Sequence, residues 1–202
     1  MVYRKTAASA ARKLARRKLL LEAATRHFGS HGYHAATVPM IVAEAGSSVG
    51  SFYAHFRNKE DAFAAVLQAL GRKMADVLQQ ARESQTDPLK RIPTAIESLF
   101  LYLVENPIEA RILIVESSGL SPRLEKVRRG ILREQAEQVC HALEAAPDAF
   151  YVADPAIAAN CLVGAVFESL CSWLEVKPAD RRPAAEIVRA VVDYNCRALR
   201  RR

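Results

Sequence analysis

Apolar and polar positions follow a helical period along most of the chain. Leu20, Ala24 and Phe28 recur at i, i+4 and i+8, the stripe of a core-facing helix, and Gly29 or Gly32 is placed to stop it. A second stripe, Ala62, Phe63, Val66, Leu67, Leu70, Met74, Val77 and Leu78, predicts a long helix from Lys59 to about Ala81. Between them lies Thr37 to Phe56, TVPMIVAEAGSSVGSFYAHF. Thr37 can cap a short helix with Pro39 in its first turn and Val38, Ile41, Val42 and Ala45 apolar. Gly46 can take the left-handed conformation that ends it, and Ser47 or Ser48 can cap a second short helix over Val49 to Phe56. Phe52 and Phe56 would face the first helix, leaving Val49, Ser51, Tyr53 and His55 on other sides. That is the pattern of a helix-turn-helix, although two ordinary core helices would also satisfy it.

The remaining helices are marked by their starts. Asp87-Pro88, Ser121-Pro122 and Asp154-Pro155 each pair a capping residue with a proline at the first helical position, and Pro183 opens the final helix. Pro93 should kink the helix after Asp87 or mark its true start, Asn106-Pro107 ends it, and residues 108 to 117 form a short helix. β-Branched clusters are short and lie inside helical periods, so the expectation is an all-α fold of about nine helices. The helix after Asp154 carries Leu162, Val166, Leu170 and Trp173 on one side and the small residues Ala158, Cys161, Ala165, Ser169 and Ser172 on another. Two packing faces imply two partners. Asn160 and Glu168 within it argue against a membrane span.

Charge changes the picture more than composition does. The chain has 202 residues, 50% of them hydrophobic, which is enough for a packed core. Its formal charge is +7, and residues 1 to 60 hold ten Lys and Arg against Glu22, Glu44 and Glu60, with 19 of each sign beyond. The whole excess therefore surrounds the helix-turn-helix, as expected if that third meets phosphate. An Arg-rich start also suits a mitochondrial presequence or a membrane-surface helix, but this one continues into the Leu20 stripe. Arg12, Lys13, Arg16, Arg17 and Lys18 would lie on its solvated end, free to approach a DNA backbone. Cys140, Cys161, Cys171 and Cys196 have neither the spacing of a zinc site nor that of a secreted disulfide framework. No P-loop or dinucleotide glycine pattern occurs, so no catalytic residue, metal or cofactor is expected.

Leu20-Leu21-x-Ala23-Ala24, Phe28, Gly32-Tyr33, Thr37-Val38, Ile41, Ala45-Gly46, Gly50-Ser51-Phe52-Tyr53, His55-Phe56 and Lys59-Glu60 resemble the DNA-binding domain of TetR/AcrR transcriptional regulators. The resemblance covers about residues 14 to 64. It implies phosphate contacts for Thr37, Tyr53 and Lys59, close approach of the reading helix at Gly50 and Ser51, and a DNA-facing surface that also holds Ser47, Ser48, Val49 and His55. The family often has Val-Ser-Lys after the turn glycine. Here Ser47 and Val49 replace its Val and Lys, so one phosphate charge is missing and a methyl surface is offered to a thymine methyl.

The resemblance further implies a helix-turn-helix domain over residues 1–60 with a basic arm at 1–13. A helical ligand-binding and dimerisation domain would occupy residues 61–202. The expected protein is a homodimer through the last two helices that binds a palindromic double-stranded operator, most simply as a repressor, and is released by a small-molecule effector. Its place would be the bacterial cytoplasm, at the nucleoid, with no membrane partner. Phe100, Arg111, Phe167 and Trp173 are the pocket residues that periodicity favours, although Arg111, Glu116 and Glu168 would equally form ion pairs. The rival reading is a basic protein-docking or membrane-surface module, which needs neither Gly46, Gly50 nor Tyr53.

Overall fold

The structure, a computed structural model, describes residues 7–199; Arg4 and Lys5 of the expected arm and Arg200, Arg201 and Arg202 at the C-terminal end lie outside the described residues. Among those described there are nine α-helices, a π-helical turn, a short 3-10 turn and no strand. They form two compact units that divide between Leu67 and Gln68. The expected boundary at residue 60 is the start of a helix, whereas the division falls inside that helix.

The first unit holds α1 (Ala7–Ala35), α2 (Val38–Glu44), α3 (Val49–Tyr53) and the start of α4 (Lys59–Glu83). Leu20, Ala24 and Phe28 are fully buried, as their spacing predicts. The α1 helix breaks at Gly32, whose φ of 83° and ψ of 163° lie where only glycine is at ease. Phe28 and Tyr33 meet the Phe63 ring edge-on at 5.0 and 5.1 Å, and Phe52 packs on Phe56 at 5.3 Å. Burying each phenylalanine contributes about 1.5–3 kcal/mol, so this aromatic cluster carries much of a small unit's stability.

The second unit holds the rest of α4, then α5 (Pro88–Glu105), α6 (Pro107–Ala110), a π-helical turn (Arg111–Glu116), α7 (Pro122–Glu144), α8 (Pro155–Glu175), a 3-10 turn (Pro178–Asp180) and α9 (Ala184–Leu199). All three predicted caps form: Asp87, Ser121 and Asp154 accept from the backbone N–H groups of Leu89, Leu124 and Ile157. Pro93 neither starts nor ends its helix, and α5 runs through it. The short helix expected at 108 to 117 is divided into α6 and the π turn. α7 packs on α8, α5 on α9, and α8 on α9 and on the π turn. Gly71 of α4 faces Ile131 of α7 closely: a Cβ there would stand 2.8 Å from the Ile131 Cδ1.

Candidate nucleic-acid interface

The turn of the helix-turn-helix is built by backbone chemistry that its residues dictate. Thr37 adopts an extended conformation and its hydroxyl accepts from Met40 N at 3.4 Å, opening α2. At the other end Gly46 has φ 55°, and the N–H groups of Gly46 and Ser47 return to the carbonyls of Ala43 and Val42 at 3.2 and 2.8 Å. This double closure satisfies carbonyls that the helix end would leave bare. Ser48 caps α3 by accepting from Ser51 N at 3.1 Å.

Ser47, expected among the DNA-facing residues, has its Oγ shielded from solvent and without a hydrogen bond. Its hydroxyl is turned away from that surface. α3 is also shorter than expected: it ends at Tyr53, and His55 N and Phe56 N both bond back to the Phe52 carbonyl. The remaining expectations on α3 are met in exposure, with Phe52 and Phe56 buried while Val49 is 45% and Tyr53 54% exposed. Thr37 and Gly50 are exposed and Ser51 half-exposed. A Cβ on Gly50 would find nothing nearer than Ser48 Oγ at 4.0 Å, so the fold itself does not require a glycine there.

Cations of α1 border this surface. Arg16 Nη1 donates to the Gly46 carbonyl at 3.0 Å, and the Arg17 guanidinium lies 5.2 Å from the centre of the Phe56 ring. Burial, then the nearby Lys13, Arg17 and Arg16, hold the His55 imidazole below its ordinary pKa. These three α1 cations are absent from the residues singled out by motif. The signal that points to them is the charge excess of the first third of the chain. Glu44, at the end of α2, receives Arg26 and stands 2.7 Å from His27 Nε2, tying α2 to α1.

Lys59 opens α4, as expected, and its side chain turns back onto the end of α1. Its Nζ donates to the carbonyls of Tyr33, His34 and Ala36 at 2.8, 3.2 and 3.0 Å and sits 4.5 Å from the Tyr33 ring centre. An ammonium has three donors. All three are directed at carbonyls around the end of α1, which Lys59 closes from the start of α4.

In the second unit, α4, α5, α7 and α8 enclose a small apolar cavity of about 50 Å³. Leu78, Ile96, Leu99, Val139, Val166 and Phe167 line it together with Arg82 and Gln135. Of the four pocket residues expected from periodicity, Phe167 alone is among those lining it. Phe100 is 1% exposed and consumed in the core. Arg111 pairs with Glu116 at 2.9 Å, because the π turn brings residues five apart onto one side. Trp173 donates through Nε1 to the Arg182 carbonyl and is covered by Arg181 at 5.1 Å.

The family profile described as bacterial regulatory proteins, tetR family, matches residues 20–66, within the first unit. The Bacillus subtilis HTH-type transcriptional regulator YdgC is 30% identical over 184 residues, covering 87% of this chain and 90% of its own. The chain belongs to the TetR family. Two solved structures share its fold at low identity. The fatty acid degradation regulator FadR from Bacillus halodurans superposes with a TM-score of 0.80 at 21% identity, covering 93% of this chain and 97% of its own. FadR from Bacillus subtilis, in complex with stearoyl-CoA, gives 0.78 at 17% identity, with 90% and 98% covered.

This TetR-family chain is therefore a DNA-binding transcriptional regulator and not an enzyme, and the rival docking-module reading falls. Such bacterial regulators work in the cytoplasm. Among the described residues α8 has the length and hydropathy of a membrane-crossing helix, but Asn160 and Glu168 interrupt it and it packs on α7 and α9.

Proposed function

We propose that this regulator binds a roughly palindromic operator at the nucleoid as a homodimer, represses transcription by occupying it, and is released by a small molecule held in its second unit. The observation that carries the reading is the exposed face of α3 bordered by cations of α1. Residues 1–60, with the basic arm at 1–13, are the reading domain, and residues 61–202 bind the effector and the second copy. Thr37 and Tyr53 hold phosphates through their hydroxyls, and backbone N–H groups at the start of α2 add to the anion site. Gly50 and Ser51 let α3 approach the duplex, and Val49 packs on a thymine methyl. Ser48 acts by starting α3, and Lys59 acts by fixing the end of α1, so neither is assigned a phosphate. Lys13, Arg16, Arg17 and His55 supply the electrostatic flank.

Dimerisation through α8 and α9 is supported by what those helices leave uncovered. Ile157 and Tyr194 are 62% and 67% exposed, and the small-residue stripe from Ala158 to Ser172 is half or fully open. A second copy would cover both. Two reading helices would then stand about 34–36 Å apart, or a multiple of that, on successive major-groove faces. The effector reading is supported by the apolar cavity, and by a FadR of the same fold being held with stearoyl-CoA. An effector releases DNA only through a difference in its affinity for the bound and free states.

Selection of DNA sequences on the full-length protein tests the reading. The expected result is an enriched inverted repeat bound with an affinity that falls steeply with salt. A flat salt response, or enrichment of no sequence, would overturn it.

A further inference from the structure

On one side of the reading unit Lys13, Arg16, Arg17 and His55 gather with no acid among them. The Arg17 guanidinium lies 5.2 Å from the centre of the Phe56 ring, and the centre of the His55 ring is 6.4 Å from the same point, so Arg17 and His55 flank one buried aromatic side chain. Lys13 precedes Arg17 by one turn on the same face of α1. Arg16 reaches from that helix to the Gly46 carbonyl in the turn. The acids of the described first unit are engaged elsewhere: Glu22 pairs with Lys18, Glu44 with Arg26 and His27, and Asp61 with Arg57, while Glu60 acts on the Tyr33 hydroxyl. Among the described residues the charges that act on His55 are thus Lys13, Arg17 and Arg16 of α1, with none from α2, α3 or α4. Burial and then these like charges hold its imidazole toward the neutral form in the free protein. The cluster lacks an anion.

We infer that one operator phosphate seats between Arg17 and His55 and that His55 takes up a proton from solvent as it does so, which makes operator binding tighter as pH falls. The inference rests on the reading that this face meets DNA, and it specifies the charge state in which the site works. A neutral imidazole offers one N–H donor and no charge, whereas the imidazolium offers two donors and a charge. A phosphate offsets the field of Lys13, Arg16 and Arg17 that opposes protonation in the free protein. It also accepts a charge-assisted bond that the imidazolium alone can donate. The proton goes to the ring nitrogen that carries the lone pair, and no bond in the DNA changes.

Operator titrations on the full-length protein at constant salt, from about pH 6 to about pH 8, test this. The parent should bind about fivefold more tightly at the acid end than at the alkaline end. His55→Asn cannot take up the proton and should show a flat profile at the parent's alkaline-end affinity. His55→Lys carries a charge in the neutral range and should show a flat profile near the acid-end affinity, a rescue that a purely structural role would not produce. His27, His31 and His34 are common to all three proteins, so their titration cancels in the comparison. Each protein is compared with itself across pH, and the parent and His55→Asn decide the matter if His55→Lys fails to fold. A parent affinity that does not change with pH, a pH dependence that survives whole in His55→Asn, or one that persists in His55→Lys would overturn the inference. Any of these leaves the DNA reading standing as long as operator affinity falls with salt. A parent that binds no operator at any pH overturns that reading, and this inference with it.

Discussion

Replacing Lys59 by methionine keeps the aliphatic stem and removes the ammonium, which isolates the role the structure gives it. Three hydrogen bonds from a charged donor are lost, at 2.8, 3.2 and 3.0 Å, with the contact to the Tyr33 ring at 4.5 Å. The His34 carbonyl is on the exposed side and recovers water, so its loss costs little. The bonds to Tyr33 and Ala36 are half-buried, and at about 1–1.5 kcal/mol each they dominate. Adding about 0.5–1 kcal/mol for the cation over the ring gives a destabilisation of about 2.5–4 kcal/mol. Because the chain has two units, a global melt would blur this. Hydrogen exchange read on α1 and α4 amides, below and above the unit boundary, locates the loss in the first unit. Operator titrations in a salt series then separate positioning from contact. A positioning lysine lowers affinity while the slope of log K against log salt stays as it was. A phosphate contact lowers the magnitude of that slope by about 0.9. Stability of the first unit unchanged within about 0.5 kcal/mol, together with a reduced slope, would refute the argument.

Three further outcomes follow from geometry described above. Ser48→Ala removes the cap on α3 and should cost about 1 kcal/mol in the first unit, seen in denaturant melts followed by exchange at Ser51 N. Gly71→Ala places a methyl 2.8 Å from Ile131 Cδ1 and should destabilise the second unit by about 1–3 kcal/mol, with Ile131→Val on the same chain recovering part of it. His55 has a folded pKa below its ordinary value, so the folded state binds fewer protons than the unfolded one. Its contribution to stability is present above about pH 6.5 and is lost as pH falls through the folded value. His55→Asn should therefore flatten the acid side of the stability profile, measured as the difference between variant and parent melts.

Much of the fold was legible because helix starts are written in single residues. Thr37, Asp87, Ser121 and Asp154 each cap the helix they were expected to cap, and the stripe from Leu20 to Phe28 is buried in full. Periodicity reports which face of a helix is apolar. It does not report whether the facing helices fill the space, and so it favours Phe100 as a pocket residue and passes over Gln135 and Arg82. Arg111 and Glu116 are five apart, a spacing that faces apart in an α-helix and together in a π turn, and no local residue marks that change. Lys59 is legible by position alone. That its amine folds back onto carbonyls more than twenty residues earlier follows from the break at Gly32, a tertiary fact.

Gly50 stands in the first turn of α3 with open space where a side chain would go. Glycine in a helix weakens it by up to about 1 kcal/mol relative to alanine, so the free protein forgoes stability that one methyl would supply. Gly50→Ala should then raise the melting temperature of the isolated protein and lower its affinity for the operator. Selection for heat resistance and selection for DNA reading would pull this position in opposite directions. A library screened only for thermostability should lose its regulators here first.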